Sequence, residues 1–116
     1  MIIYVAGKFS APTQEGIDAN VVVANRVGKD ILAAKHTPVV PHNLSYGWEQ
    51  DDRFHHDPAD VKTSDFLRMD FDLIWMSDAL FMLPGWEDSP GARAEHKLAL
   101  VIGLPIYTSM EDVPDA

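Results

Sequence analysis

The 116-residue sequence contains no cysteine, which excludes a disulfide framework and thiolate chemistry. Positive charge is also scarce, since 9 Lys and Arg stand against 18 Asp and Glu, for a net charge of -9. Such an acidic surface disfavours duplex nucleic acid and anionic membranes as partners. No apolar run reaches transmembrane length, and the N-terminus lacks the basic segment and cleavage site of a signal peptide, so a cytoplasmic protein is expected.

Apolar runs and helical periodicity alternate along the chain, and its length predicts one domain over residues 1–116. Continuous apolar runs predict four buried strands at 1–6, 37–41, 79–83 and 104–108. Helical spacing predicts three helices at about 14–35, 65–76 and 90–102, with N-caps at Thr13, Ser64 and Ser89. The predicted class is α/β: a small open parallel sheet of about four strands, in the flavodoxin- or Rossmann-like order 2-1-3-4, with helices on both faces.

Three loops are predicted to meet at the carboxyl ends of the strands, where such sheets bind ligands. The first, at 7–13, contains Lys8 and Ser10, which could contact a phosphate or a sugar hydroxyl; a plain surface loop is equally consistent with this segment. The second is a long polar stretch at 42–62, which predicts a functional loop or lid whose aromatic residues could stack on a planar ring. The third, at 84–91, precedes a helix and aims backbone N–H groups at an anion.

Two acidic residues fall on the apolar stripes of the predicted helices. Glu95 has small and apolar residues at helical spacing on both sides, including Gly91 and Ala99, which indicates the inward face. Asp70 likewise has apolar residues three and four positions away in both directions. A buried carboxylate is costly unless it is paired or has a function. A slightly different helix phase would instead place Glu95 at the edge of the core, and the pattern alone does not separate these interpretations.

The sequence predicts neither a metal site nor a cofactor. His55 and His56 are adjacent, and they have neither the spacing nor the companion ligands of a metal centre. A small molecule bound at the carboxyl edge of the sheet, where the predicted loops converge, is the expected partner.

Short motifs with a fixed spacing cover nearly the whole chain outside 43–65. They are Ile3-Tyr4-Val5-Ala6-Gly7, Pro38-Val39-Val40-Pro41-His42, Asp70 with Asp78-Ala79, Leu83-Pro84-Gly85-Trp86-x-x-Ser89-x-Gly91-x-x-x-Glu95, and Gly103-Leu104-Pro105-Ile106-Tyr107. Together they resemble the nucleoside 2-deoxyribosyltransferase-like superfamily, and most closely its DUF4406-type subgroup. The stretch that ends at Glu95 is the most specific of them.

The resemblance implies that Glu95, six residues after Ser89, is a nucleophile that attacks C1′ of a sugar and forms a glycosyl-enzyme ester. It implies that Asp70 helps to protonate the departing base and that Tyr4 positions the nucleophile. This chemistry suits two inward-facing acids, because one carboxylate can stabilise an oxocarbenium-like state while the other supplies a proton. The residues expected to bind the substrate are Gly7, Lys8, Ser10, His42, Asn43, Trp86, Ser89 and Gly91.

The resemblance leaves the substrate open between a nucleoside and a nucleoside 5′-monophosphate. At the position of Ser89, related transferases carry an aspartate that binds the 5′-hydroxyl, and related 5′-monophosphate hydrolases carry a serine near the phosphate. Asp88, next to it, would repel a phosphate. We expect N-glycosidic cleavage or transfer, with a homo-oligomer by analogy; the alternatives are a non-catalytic nucleotide-binding module and a structural protein with a vestigial site.

Overall fold

The computed structural model describes residues 1–44 and 63–116, so most of the predicted loop at 42–62, including His55 and His56, lies outside the described residues. The strands are β1 (Ile2–Ala6), β2 (Thr37–Val39), β3 (Ala79–Met82) and β4 (Ile106–Tyr107). They form one parallel sheet in the order β2-β1-β3-β4. The predicted fold class and strand order are confirmed.

One face of the sheet is covered by helix α1 (Gln14–Ala33). The Thr13 hydroxyl caps this helix by accepting a backbone N–H of the first turn at 3.1 Å, as its position before the apolar stripe predicts. Ala24 and Ile31 of the stripe are fully buried and pack with Ile3 and Val5 of β1. The helix crosses from β1 to β2, so it lies on the side that a right-handed connection dictates.

Helices α2 (Thr63–Trp75) and α3 (Pro90–Ile102) cover the other face. The connection through α2 runs from β2 past β1 to β3, and the connection through α3 runs from β3 to β4 in the same direction across the sheet. Right-handed connections therefore place both helices on one side. Ser89 caps α3 with its hydroxyl, and Gly103 ends it with φ +79°. The buried residues of this layer are Tyr4, Ala6, Ile74, Leu80, Met82, Ala92 and Ala99.

Several elements are shorter than the sequence predicts. Strand β2 ends at Val39 because a 3₁₀ turn, Pro41–Asn43, follows it at once. Strand β4 pairs over two residues only. Among the described residues, no helix is both long and apolar enough to cross a membrane.

The acidic composition of the tail after Ser109 predicts a loose, solvated end, but the structure packs this tail on the domain, so that prediction is wrong. The Ser109 hydroxyl caps a 3₁₀ turn, Met110–Asp112. Val113 is buried in the core on the α1 side, and the buried His36 ring contacts the carbonyl oxygen of Pro114 at 2.6 Å. One apolar side chain and one hydrogen bond thus hold a segment whose acidic composition suggested a solvated end.

A prediction concerns Gly7, where β1 and β3 approach closely. A Cβ at this position would lie 2.7 Å from Cβ and Cδ1 of Leu83, a separation that real structures do not tolerate. Gly7→Ala should therefore lower the free energy of unfolding by about 1–3 kcal/mol, the usual cost of overpacking. Denaturant unfolding measures the change.

The matched control is Gly91→Ala, because a Cβ there would meet only the Ser89 hydroxyl oxygen, at 3.9 Å. That variant should be as stable as the wild type or slightly more stable, since alanine favours a helix. Equal stability of the two variants would show that the contact between Gly7 and Leu83 is not the constraint described.

Candidate active site

Tyr4 lies at the centre of the candidate site because it belongs to a central strand, β1, with neighbours on both sides. Its side chain is fully buried under α2 and α3. Burial raises the pKa of its hydroxyl far above the ordinary value, and the nearby carboxyls of Glu95 and Asp70 raise it further. Three polar groups from three elements therefore meet within one apolar layer.

Glu95 points into the core from α3. It is 6% exposed, and Ala92 and Ala99, three residues before it and four after, are buried on the same face. The helix is thus in the phase that places the carboxyl inward, not at the edge of the core. Burial raises the pKa of Glu95 to about 8; the Tyr4 hydroxyl opposes this shift and the Asp70 charge adds to it.

Asp70 reaches the same place from the middle of α2 and is half-buried. Burial raises its pKa to about 6, and the Tyr4 hydroxyl acts in the opposite direction. Asp72, two residues on, is exposed at the surface and lies 3.9 Å from Arg68. The structure therefore separates an acid that faces Tyr4 from one that faces solvent, as the helical spacing predicts.

The Tyr4 hydroxyl lowers the pKa of both carboxyls relative to the effect of burial alone, although its distance and angle to neither carboxyl meet the criteria for a hydrogen bond. Tyr4 Oη and Glu95 Oε2 are buried, and neither has a hydrogen-bond partner of good geometry among the described residues. Buried polar atoms are normally paired. These two oxygens, side by side with Asp70, therefore mark a place where a polar ligand could bind.

His42, which is 4% exposed, contacts both the turn after β2 and the loop after β1 at the carboxyl edge of the sheet. Its Nε2–H donates to the carbonyl of Lys8 at 3.1 Å, and its ring meets Phe9 edge-on at 5.8 Å between centroids. Burial lowers the pKa of His42, so the ring stays neutral with Nδ1 as an acceptor; Nδ1 has no partner among the described residues. His42 thus joins the turn after β2 to the loop after β1.

The other predicted residues of these two loops make fewer contacts. Asn43 is exposed and donates from Nδ2 to Asn25 of α1 at 2.7 Å. Lys8 and Ser10 have exposed side chains. The close packing of Gly7 on Leu83 explains why a glycine occupies this position.

The segment between β3 and α3 carries the remaining predicted residues. Ser89 is half-buried, and its Oγ accepts the N–H of Ala92 at 3.2 Å. Trp86 lies in the 3₁₀ turn Trp86–Asp88 and stacks on His96, with centroids 4.4 Å apart and planes 21° apart. Sequence reasoning missed His96, because a contact across ten residues and a turn leaves no periodic signal.

The described residues contain no group of three or more His, Asp or Glu side chains that could hold a metal ion. The polar groups that the described residues bring together here are the carboxyls of Glu95 and Asp70 and the hydroxyl of Tyr4.

The parallel sheet in this order, with helices on both faces and two acids facing its central strand, is an α/β fold of the flavodoxin- or Rossmann-like type. The family model "Domain of unknown function (DUF4406)" matches residues 1–108, so the chain belongs to that family. The 2-deoxyribosyltransferase from the psychrotolerant bacterium Bacillus psychrosaccharolyticus superposes with a TM-score of 0.63. It is 17% identical, and the match covers 91% of this chain and 69% of that one. A search of curated proteins found no match.

The raised pKa of Glu95 predicts a pH-dependent stability. Between its ordinary value of 4.5 and about 8, the folded protein keeps a proton that the unfolded chain has lost, so stability falls as pH rises through this window. Relative to Glu95→Gln, the wild type should lose about 1.4 kcal/mol for each pH unit inside it. Asp70 has a pKa of about 6, so its ionisation changes the stability little above pH 6.5. The dependence of stability on pH above that value therefore reports on Glu95.

Chemical denaturation between pH 6.5 and 9 measures this difference. Glu87→Gln is the matched control, because it makes the same substitution at an exposed position away from the buried carboxyls. A flat difference between wild type and Glu95→Gln would mean that Glu95 is ionised throughout, contrary to its burial.

Proposed function

We propose that the protein cleaves or transfers the N-glycosidic bond of a nucleoside or a nucleoside 5′-monophosphate. The observation that carries this proposal is the pair of carboxyls, Asp70 and Glu95, that two helices bring to one buried tyrosine hydroxyl. The likeness of the fold to a 2-deoxyribosyltransferase supports the same chemistry. No bound metal is required for it, because acid and nucleophile are both supplied by carboxyl groups.

In the proposed reaction, the Glu95 carboxylate attacks C1′ of the sugar while the bond to the base breaks. The electrons of that bond leave with the base nitrogen, which takes a proton from the Asp70 carboxyl. A glycosyl ester on Glu95 results, and water or a second base releases the sugar. Tyr4 is a positioning residue here, because its hydroxyl can hold the carboxyl that attacks.

In the free protein the proton lies on Glu95, whereas the proposed reaction needs it on Asp70. With a pKa of about 8, Glu95 holds a proton at neutral pH, and Asp70, with a pKa of about 6, is largely ionised. Positive charge that develops at C1′ favours an ionised Glu95, so substrate binding would move the proton toward Asp70. The pair holds one proton in total until Asp70 gives it to the departing base, and this is the number that the step requires.

The second candidate is a non-catalytic nucleotide-binding module that uses the same site. The protonated state of Glu95 at neutral pH favours it, because a carboxylic acid is a poor nucleophile. Ligand-induced thermal stabilisation without turnover distinguishes this candidate from the enzyme.

The homo-oligomer implied by the resemblance stays a prediction, as does the cytoplasmic location. The ends of α2 and α3 expose large apolar side chains that a second copy could cover. They are Trp75, Met76, Leu100 and Val101.

The direct test of function is base release from deoxynucleosides and their monophosphates, followed by chromatography. Glu95→Gln should release no base, since the amide keeps the size of the side chain and cannot form the ester. Asp70→Asn should lower the rate by roughly 10²–10⁴-fold, the usual value of a general acid.

Asp72→Asn is the matched control for Asp70, because it makes the same substitution two residues away on the exposed side of α2. Its rate should equal that of the wild type. Base release by Glu95→Gln at the wild-type rate would remove Glu95 from the mechanism.

Tyr4→Phe separates a role in the reaction from a role in packing. The hydroxyl has no hydrogen-bond partner among the described residues, so its loss should leave stability unchanged or slightly higher. A hydrogen bond to a charged group contributes about 1.5–3 kcal/mol, so kcat should fall roughly ten- to hundredfold. Paired measurements of unfolding and turnover test this, and a parallel loss of stability would reveal a merely structural hydroxyl.

A further inference from the structure

We propose that Asn20 of α1 is a positioning residue, which holds the loop after β1 (residues 7–13) in the shape that receives the substrate. This inference rests on the proposed function, because it takes the carboxyl edge of the sheet as the place where the substrate binds. Contacts from three parts of the fold fix this loop, and Asn20 supplies a hydrogen bond from α1.

The loop lies where ligands of this fold class bind. The strand order reverses between β1 and β3, and ligands occupy the crevice outside the carboxyl ends of the strands at such a point. The loop begins directly after β1, which carries Tyr4, and its first residue, Gly7, packs closely on Leu83 after β3. A change in the shape of the loop therefore changes one wall of the crevice.

Two consecutive carbonyl groups of the loop accept hydrogen bonds from side chains of two other elements. The Lys8 carbonyl accepts from Nε2 of His42, in the turn after β2, at 3.1 Å. The Phe9 carbonyl accepts from Nδ2 of Asn20 at 3.0 Å. Asn20 and Phe9 are both half-buried, so water competes with this bond less than it would at an exposed site.

Helix α1 also touches the loop one turn before Asn20. A Cβ at Gly16 would lie 2.6 Å from the Cβ of Ala11, so a larger residue would push the loop away from the helix. Gly16 and Asn20 are four residues apart and share one face of α1. Because Thr13 already caps the helix, the contacts with Ala11 and Phe9 are not needed to begin it. They fix the loop.

The order of the loop should act on binding and not on the chemical step. A loop that is already ordered loses less conformational freedom when a ligand binds, which strengthens binding. The proposed reaction gives its chemical roles to Glu95, Asp70 and Tyr4, and none of these lies in the loop. Loss of the Asn20 contact should therefore raise KM and leave kcat nearly unchanged.

Asn20→Asp tests this directly, because it keeps the size of the side chain and replaces the donor by an oxygen that repels the Phe9 carbonyl. KM for base release should rise roughly three- to tenfold, the value of one hydrogen bond. The value of kcat should stay within about twofold of the wild type. Initial rates over a range of deoxynucleoside concentrations measure both quantities.

Asn25→Asp is the matched control, because it makes the same change five residues further along the same helix. The Asn25 side chain accepts from Nδ2 of Asn43 at 2.7 Å, so a carboxylate there keeps the hydrogen bond. The KM of this variant should equal that of the wild type. An equal rise of KM in both variants would reflect the added negative charge alone and overturns the inference, as does an unchanged KM in Asn20→Asp.

Gly16→Ala reaches the same loop without altering any charge or hydrogen-bonding side chain. It should raise KM by displacing Ala11, although alanine itself favours the helix. Denaturant unfolding of Gly16→Ala and Asn20→Asp accompanies the kinetics. A loss of stability in both variants with KM unchanged would identify a merely structural contact and overturns the inference.

Limited digestion with trypsin reports on the loop whether or not catalysis occurs. Lys8 is exposed within the loop, so the rate of cleavage after Lys8, followed by mass spectrometry, reports how often the loop leaves its position. Asn20→Asp should be cleaved there roughly three- to tenfold faster than the wild type and Asn25→Asp.

This digestion separates the inference from the proposed function. Faster cleavage of Asn20→Asp supports the inference even if the wild type releases no base, a result that removes the proposed function alone. Equal cleavage of Asn20→Asp and the wild type overturns the inference, and base release by the wild type then leaves the proposed function standing.

Discussion

The burial of two carboxyl groups against a single tyrosine hydroxyl is the constraint on which the rest of the structure depends. Glu95 and Tyr4 lie in an apolar layer where an ionised side chain is poorly solvated, and Asp70 borders it. Burial therefore raises the pKa of both acids, and it does so more strongly for the deeper one. The raised pKa of Glu95 favours its protonated form at neutral pH, and the cleavage proposed above requires one such proton.

The topology of the sheet explains why these groups meet. The chain leaves β1 in one direction to form β2 and then returns past it to β3, so the strand order reverses between β1 and β3. Ligands of such sheets bind at this switch point, beyond the carboxyl ends of the strands. Tyr4 belongs to β1, while α2 and α3 lead into and out of β3 on one face, and both helices turn an acid toward the same strand.

Much of the fold could be predicted from local signals. Ser89, Pro90 and Gly103 delimit α3 through backbone geometry that needs no distant partner, and Thr13 does the same for α1. The inward phase of Glu95 follows from its neighbours at helical spacing. The sequence could also indicate Asp70 in this way, because the spacing of apolar residues in each helix shows which side is buried.

Other features could not be read from the chain. The stacking of Trp86 on His96, the docking of the tail through Val113 and the close approach of Gly7 to Leu83 all join residues that lack any periodic relation. The protonation order of Glu95 and Asp70 was equally hidden, since identical carboxyl chemistry is differentiated only by depth of burial. Local sequence thus determined the elements and their buried faces, whereas the tertiary structure alone decided which polar groups became neighbours, because desolvation and proximity arise only after the elements pack.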